Sequence, residues 1–149
     1  VGAVRREVDD GIGGLVMREF IGSLTAVGVQ FSHFGKMGTE HPAVKIDYRE
    51  YFAVPPAVAI DNCAFSDSYN YAFVVEGADD VVISNNVIHG GFRSGFLLDR
   101  ATRRAVITDN LVIGTTRSPD DLPNWLHPFA SFYIDTTPAE FRGNVAAGS

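Results

Sequence analysis

The sequence predicts an all-β fold, a right-handed parallel β-helix (a solenoid) with rungs of about 24 residues and two inserted loops. Asparagines recur at a fixed 24-residue interval. Short runs rich in β-branched and aromatic residues are separated by glycine, asparagine, aspartate and serine, which is typical of strands joined by turns. Charges of opposite sign recur at the same interval, as expected if the repeats stack in register.

The repeat is marked by Asn62, Asn86 and Asn110, which follow one another at the 24-residue interval and are each followed by an apolar residue. Towards both ends the spacing stretches to a 34-residue interval, since residues 28–31 mirror residues 62–65 and Asn144 follows Asn110. Each stretched interval is one repeat plus about ten inserted residues. Other residues that share columns are Phe65 with His89 and Ile113, Phe73 with Leu97, Val74 with Leu98, Val82 with Val106, and Ile83 with Ile107.

The inserted segments are located by their proline, glycine and charge content. One insertion is split between residues 35–42 and 49–56, and the other covers residues 117–128. We therefore expect one β-helix domain over residues 1–149. Because the chain lacks an initiating methionine and its last rung would leave strand edges uncovered, we expect it to be part of a longer protein.

Three acid–base pairs recur at the 24-residue interval: Glu76 with Arg100, Asp79 with Arg103, and Asp80 with Arg104. In parallel rungs about 4.8 Å apart, each pair would be adjacent along the helix axis. Such a pair is worth about 0.2–1 kcal/mol. The three pairs support the predicted register.

The aligned asparagines are interpreted as structural. Asparagine tolerates the left-handed backbone conformation at corners, and stacked amides form hydrogen-bonded ladders. A catalytic asparagine row is the alternative. Cys63, the single cysteine, falls on a core column and is interpreted as a small buried residue and not a nucleophile. A lone cysteine also excludes an intrachain disulfide framework and a thiolate zinc site.

One predicted strand recurs at residues 43–47, 71–75, 95–99 and 131–135. Alternation predicts that its inward side chains are Val44, Ile46, Ala72, Val74, Phe96, Leu98, Phe132 and Ile134. The predicted outward columns are Lys45, Phe73, Leu97 and Tyr133, and Asp47, Val75, Asp99 and Asp135. Apolar and aromatic groups beside carboxylates fit a carbohydrate, which presents flat C–H faces and hydroxyl donors.

Asp47, Asp99 and Asp135 are the candidate catalytic residues of this outer face. Asp99 and Asp135, one rung apart, would be separated by about 5 Å, and Asp47 and Asp99 by about 10 Å. These distances are near the carboxylate separations of retaining and inverting glycosidases. Carboxylates also commonly end strands, cap turns or face a basic residue. We therefore expect no catalytic role and keep hydrolysis as the alternative.

The spacing of the four histidines argues against a metal site; convergence of His33, His41 and His127, which lie in or near the insertions, is the alternative. His33, His41, His89 and His127 lack the two-residue or four-residue spacing that would place two of them on one face of a strand or helix. His89 shares the column of Phe65, so we expect a hydrogen-bonded core histidine. No cofactor is expected.

The charge balance argues against nucleic-acid partners. The chain has 12 basic and 18 acidic residues, a formal net charge of −6, and no basic run longer than Arg103-Arg104. No apolar run approaches the length of about 18 residues that a membrane span needs, so we expect no direct membrane insertion by this segment. A hydrophobic content of 46% with 20% charged residues predicts a folded core.

Residues 27–149 resemble the parallel β-helix region of the group formed by fibrocystin, fibrocystin-like proteins and the cell-surface hyaluronidase (cell-migration-inducing protein). Residues 28–35 (GVQFSHFG) are similar to the group's V-E-F-x-H-x-G-Q turn, and residues 41–47 (HPAVKID) to its R-Y-P-I-H-F-H strand. The ending, with FYI at 132–134 and GNVAAGS at 143–149, is similar to F-W-I … N-N-V-A-A-G-S.

The resemblance implies an extracellular, often membrane-tethered β-helix, with a ciliary location among those found in the group. Some members depolymerise hyaluronan. Where those members carry two outward histidines on a strand, this chain has Lys45 and Asp47. This departure favours the receptor-like, non-enzymatic side of the group.

We therefore expect an extracellular β-helix scaffold of a larger cell-surface protein, with other proteins or glycans as partners. The expected contact residues are Trp125 and His127 in the long insertion, and Tyr133 and Phe73 on the outer face. Alternatively, Trp125 folds back onto Phe129 or Tyr133. A polysaccharide-active enzyme using the outward aspartates is the second hypothesis. The third is an assembly subunit that stacks through its open ends.

Overall fold

The structure, a computed structural model, describes residues 4–9, 15–20, 23–35, 42, 44–47, 57–92, 95–98, 102–116 and 130–148. Within these ranges the chain forms sixteen β-strands and no helix. Strands β1 (Val4–Asp9) and β2 (Leu15–Phe20) pair as an antiparallel hairpin, which the repeat pattern does not predict. The remaining strands pair in parallel, as a β-helix requires.

Three parallel sheets run along the helix axis, and a complete rung contributes one short strand to each. Sheet I consists of β3 (Leu24–Val27), β6 (Val58–Asp61), β9 (Val81–Ser84), β12 (Val106–Thr108) and β15 (Glu140–Arg142). Sheet II consists of β4 (Gln30–Ser32), β7 (Ala64–Ser66), β10 (Val87–His89), β13 (Leu111–Ile113) and β16 (Val145–Ala147). Sheet III consists of β5 (Val44–Asp47), β8 (Phe73–Glu76), β11 (Phe96–Leu98) and β14 (Phe132–Ile134).

The core lies between the three sheets and is filled by inward side chains that stack from rung to rung. Phe73, Phe96 and Phe132 form an aromatic column in sheet III, with ring centroids 5.8 and 5.2 Å apart and interplanar angles of 14° and 7°. Phe31 and Phe65 stack in sheet II at 4.7 Å. Identical neighbours in successive rungs therefore pack ring on ring, which holds the rungs in register.

The corners on either side of sheet II use the left-handed backbone region. The corner between sheets I and II has φ values of 53–65° in every described rung, and its residues are Gly28, Asn62, Asn85, Asp109 and Gly143. The residues of the corner after sheet II, with φ of 53–68°, are His33, Asp67, Gly90, Gly114 and Gly148. Glycine, asparagine and aspartate are the residues that adopt this conformation at least cost, which explains their recurrence.

The register between the second and third rungs corrects one part of the predicted repeat. Here the strands pair at a 23-residue interval, because Val58 pairs with Val81 and Phe73 pairs with Phe96. The predicted alignment of Phe73 with Leu97 is therefore wrong. Phe73 faces inward and is 0% exposed, so it is not the outer-face contact residue that alternation predicted.

The same shift exchanges the faces predicted for the next two residues. Val75, predicted outward, pairs with Leu98 and is 0% exposed, so it belongs to the core. Val74, predicted inward and aligned with Leu98, pairs with Leu97 in the outward column. Both differences follow from a register change of one position.

The 24-residue interval is confirmed further along the same two rungs. Asp79 pairs with Arg103, and Val82 pairs with Val106 in the next strand. The added residue therefore lies between Leu98 and the Arg103 bridge. Because a corner absorbs it, the strands keep their inward and outward faces.

The predicted asparagine ladder is present, but its members are Asn86, Asn110 and Asn144. The Nδ2 of Asn86 donates to the Oδ1 of Asn110, and the Nδ2 of Asn110 donates to the Oδ1 of Asn144, each at 2.9 Å. The same column begins at Cys63, whose backbone N–H donates to the Oδ1 of Asn86. Asn62 lies one position earlier, in the exposed corner column.

Cys63 is buried, as predicted, with its Sγ 3.3 Å from the carbonyl oxygen of Asp61. The prediction of a core position for His89 is wrong. Phe65 pairs with Ile88, so His89 falls in the outward column of Ser66 and is exposed. The one-residue difference in register again explains the error, because a shift of one position reverses the face of a strand.

The stretched 34-residue interval is confirmed at both ends, since Leu24 pairs with Val58 and Val106 pairs with Glu140. Most of the predicted insertions at 35–42, 49–56 and 117–128 lie outside the described residues, including His41, Trp125 and His127.

The corner position of Asn62 can be tested by substitution. With φ at 53°, Asn62→Val would place a β-branched side chain in the left-handed region, and we expect the free energy of unfolding to fall by about 1–2 kcal/mol. Asn62→Gly should change it by less than about 1 kcal/mol. Urea unfolding followed by circular dichroism measures both. Equal effects of the two variants would contradict the corner assignment.

Candidate functional site

An open groove that combines polar and charged side chains lies at the edge of sheet III. Its walls come from two successive corners, and its volume is about 650 Å³. The lining residues are Thr102, Arg103, Arg104, Ile134, Asp135, Thr136 and Thr137. We call this surface the outer groove.

Backbone-directed hydrogen bonds hold the two corners together beneath the groove. The hydroxyl of Thr136 donates to the carbonyl of Thr102 at 2.7 Å, and the hydroxyl of Thr102 donates to the carbonyl of Val75 at 3.2 Å. The backbone N–H of Asp135 donates to the carbonyl of Leu98 at 2.8 Å. The groove is therefore formed on a fixed backbone, which favours a preformed contact surface.

Arg104 is positioned by two aspartates of the preceding rung. Its Nε and one terminal nitrogen donate to the two carboxylate oxygens of Asp80 at 2.6 and 2.9 Å, and the same terminal nitrogen lies 3.3 Å from Asp79. The predicted Asp80–Arg104 pair is confirmed. These hydrogen bonds raise the pKa of Arg104 and hold the pKa of the Asp80 carboxyl below its ordinary value of 3.8.

The Asp80 pKa gives a pH prediction. Because the folded-state pKa is depressed, the contribution of the pair to stability is complete above the ordinary carboxyl value and is lost as the pH falls through the folded-state pKa. We expect Arg104→Asn to return the Asp80 pKa towards 3.8, measured by carbon-detected NMR titration of the carboxyl groups. Asp61 is the control, because hydrogen bonds from Asn85 and Ser84 lower its pKa. An equal change at Asp61 would contradict the assignment.

The outer column of sheet III beside the groove is Lys45, Val74, Leu97 and Tyr133. Lys45, Leu97 and Tyr133 lie in the predicted outward column, and Val74 takes the place predicted for Phe73. Although it faces outward in the ladder, Val74 is only 5% exposed. Tyr133 is half-buried, so part of its ring is accessible.

Glu76 lies beside Lys45 in sheet III, a position that the predicted 24-residue register did not give it. It pairs with Asp47 in the ladder, in the column where the 24-residue interval placed Val75. The Oε2 of Glu76 lies 3.2 Å from the Nζ of Lys45. The predicted Glu76–Arg100 pair stays a prediction, since Arg100 lies outside the described residues. A 23-residue alignment of Phe73 with Phe96 would have placed Glu76 correctly.

Of the three candidate catalytic aspartates, the structure describes Asp47 and Asp135, and both predicted carboxylate separations involve Asp99. Asp47 belongs to β5 and Asp135 follows β14, three rung intervals away, which is about 14 Å. Asp99 lies outside the described residues. Asp135 lies in the outer groove with Arg103 and Arg104.

No cluster of three or more histidine, cysteine, aspartate or glutamate side chains suited to a metal ion occurs in the described ranges. Likewise, none of the described segments is a helix long and apolar enough to cross a membrane.

The three-sided parallel stack and its internal amide ladder define the chain as a parallel β-helix solenoid. The model of the right-handed beta helix region family matches residues 47–146, about two thirds of the chain, and the chain belongs to this family. The handedness agrees with the sequence prediction. Searches of curated proteins and of solved structures give no match.

Proposed function

We propose that this chain is a non-enzymatic scaffold and interaction module of a larger, fibrocystin-like cell-surface protein. The observation that carries the proposal is the outer groove, an open and polar surface of about 650 Å³ built on a stack with a continuous internal amide ladder. A rigid stack that presents a polar groove suits recognition, because little backbone ordering is required on binding.

The groove offers partners both charge signs and several hydroxyl groups. Arg103 supplies a guanidinium, Asp135 a carboxylate, and Thr136 and Thr137 supply hydroxyls. Such groups hydrogen-bond to the hydroxyls of glycans and to the polar groups of proteins. We propose glycans or extracellular proteins as partners, with Trp125 and His127 of the insertion as further contact residues.

The proposed location is extracellular, at the cell surface, and rests on the resemblance to the fibrocystin group. Labelling of intact cells with a membrane-impermeant biotin reagent tests it on the full-length protein. We expect labelling of this region without permeabilisation, and labelling only after permeabilisation would contradict the proposed location.

A polysaccharide-active enzyme is the second candidate, favoured by one observation. The corrected register pairs Asp47 with Glu76 in adjacent strands, so two acidic residues take neighbouring positions in one column of the ladder. Against catalysis, Glu76 is engaged by Lys45, and Asp135 lies three rungs from Asp47.

The two candidates are separated by incubating the chain with hyaluronan and a panel of neutral polysaccharides, and following polymer size and binding together. We expect at least one of the polysaccharides to bind without being shortened. Its affinity should be reduced about tenfold by Arg103→Ala and unchanged by Val82→Ala, a substitution on the outer face of sheet I. A tenfold loss corresponds to about 1.4 kcal/mol. Shortening that Glu76→Gln abolishes would overturn the non-enzymatic proposal.

A further inference from the structure

Two aromatic side chains lie together outside the core, at the corner between sheets II and III. Tyr69 follows β7 and Phe92 follows β10, one rung further along the axis. Their ring centroids are 6.4 Å apart with an interplanar angle of 26°. Tyr69 is 41% exposed and Phe92 is half-buried. We call these two residues the aromatic pair.

The backbone under the aromatic pair is fixed. The N–H of Tyr69 donates to the carbonyl of Phe34 at 2.8 Å, and the N–H of Phe92 donates to the carbonyl of Ser68 at 2.9 Å. Phe92 also forms a parallel bridge with Thr116 of the next rung. The rings are therefore presented by a preorganised corner, which lowers the entropic cost of binding a flat ligand.

The surroundings of the aromatic pair match the chemistry of a sugar ring. The face of an aromatic ring carries partial negative charge, so it attracts the C–H groups on one face of a pyranose. Two exposed polar residues belong to the same corner: Asp67 precedes Tyr69 by two residues, and Thr116 pairs with Phe92 in the backbone bridge. These groups can accept or donate hydrogen bonds to the hydroxyl groups of a sugar. An aliphatic side chain of a protein partner would instead desolvate the Asp67 carboxylate without replacing its hydrogen bonds.

The negative charge of the chain favours neutral sugars over acidic ones. The chain has a formal net charge of −6, and Asp67, two residues before Tyr69, is exposed. Polymers of uronic acids or sulfated sugars would be repelled by this field, whereas neutral hexoses would not.

We infer that the aromatic pair is a stacking site for the pyranose rings of a neutral glycan. This inference rests on the proposed interaction function and names a ligand class for it. The outer groove and the aromatic pair flank sheet III at its two edges.

The test uses the whole chain with laminarihexaose, mannohexaose, chitohexaose and a hyaluronan octasaccharide as probes. Isothermal titration gives affinities, and saturation-transfer NMR identifies the sugar protons in contact. We expect at least one neutral hexasaccharide to bind more tightly than the hyaluronan fragment, with saturation concentrated on the C–H protons of one ring face. Tyr69→Phe should retain binding, whereas Tyr69→Leu should weaken it about tenfold while the melting temperature stays within a few degrees.

The matched control is Val87→Ala, since Val87 is also 41% exposed but lies on the outer face of sheet II. Its affinity for the same probe should not change. The inference is overturned if Tyr69→Leu binds as the parent does, if Val87→Ala loses binding equally, or if no neutral probe binds. If Arg103→Ala weakens binding and Tyr69→Leu does not, the outer groove is the binding site and the inference about the aromatic pair is wrong. If a probe is shortened, the proposed non-enzymatic function is wrong, and this outcome does not depend on the affinity of Tyr69→Leu.

Discussion

Replacing Phe96 with alanine is expected to lower the free energy of unfolding by about 3–5 kcal/mol. Phe96 is 0% exposed and is the middle ring of the sheet III column, between Phe73 at 5.8 Å and Phe132 at 5.2 Å. Its removal leaves a cavity between two rings that their own strands hold in place, so neither ring can move to fill it. Urea unfolding followed by circular dichroism measures the loss.

Leu97→Ala is the control on the same strand, because Leu97 faces outward and is half-buried. Leu97→Ala should lower the free energy of unfolding by about 1 kcal/mol, because Leu97 buries a smaller apolar area than Phe96 does. If both variants were equally destabilised, the assignment of inward and outward faces in β11 would be wrong.

Asn110→Ala is expected to destabilise the protein by about 3–5 kcal/mol, although it removes only a polar side chain. The Oδ1 of Asn110 accepts hydrogen bonds from the backbone N–H and the Nδ2 of Asn86, and its Nδ2 donates to the carbonyl of Ile83 at 2.9 Å. All three residues are buried. The variant therefore leaves several buried polar groups without partners, each at a cost of about 1–3 kcal/mol.

Asn144→Ala is the comparison within the same ladder. Asn144 makes similar hydrogen bonds but is only half-buried, so water can replace part of what is lost. We expect a loss of about 1–2 kcal/mol. If Asn144→Ala were as costly as Asn110→Ala, burial would not be what makes the ladder important.

The repeat and the class of fold could be predicted from the residues because a solenoid brings equivalent positions of successive repeats into contact. The spacing of residues in the sequence therefore predicts contacts between rungs. Asp80 and Arg104, for example, are one repeat apart and form an ion pair. The asparagine ladder follows from the same property, since Asn86 and Asn110 meet only if their rungs are adjacent.

The error at Phe73 has a definite physical origin. A fixed 24-residue interval cannot show that one corner holds an extra residue, and strand alternation turns a shift of one position into a change of face. Phe73 was therefore predicted outward although it belongs to the buried aromatic column, and Glu76 was missed beside Lys45. The spacing of Asn62 and Asn86 supported the error, because both are asparagines but only Asn86 belongs to the ladder.

By itself, the sequence determined the β-helix class, the glycine- and asparagine-rich corners and the internal amide ladder, because each depends on residue type at a repeated position. Only the tertiary structure decided which residue of each strand faces the core, and which corners meet to form the outer groove and the aromatic pair. Corner lengths set those relations, and a corner can gain a residue without changing the pattern of the strands that it joins.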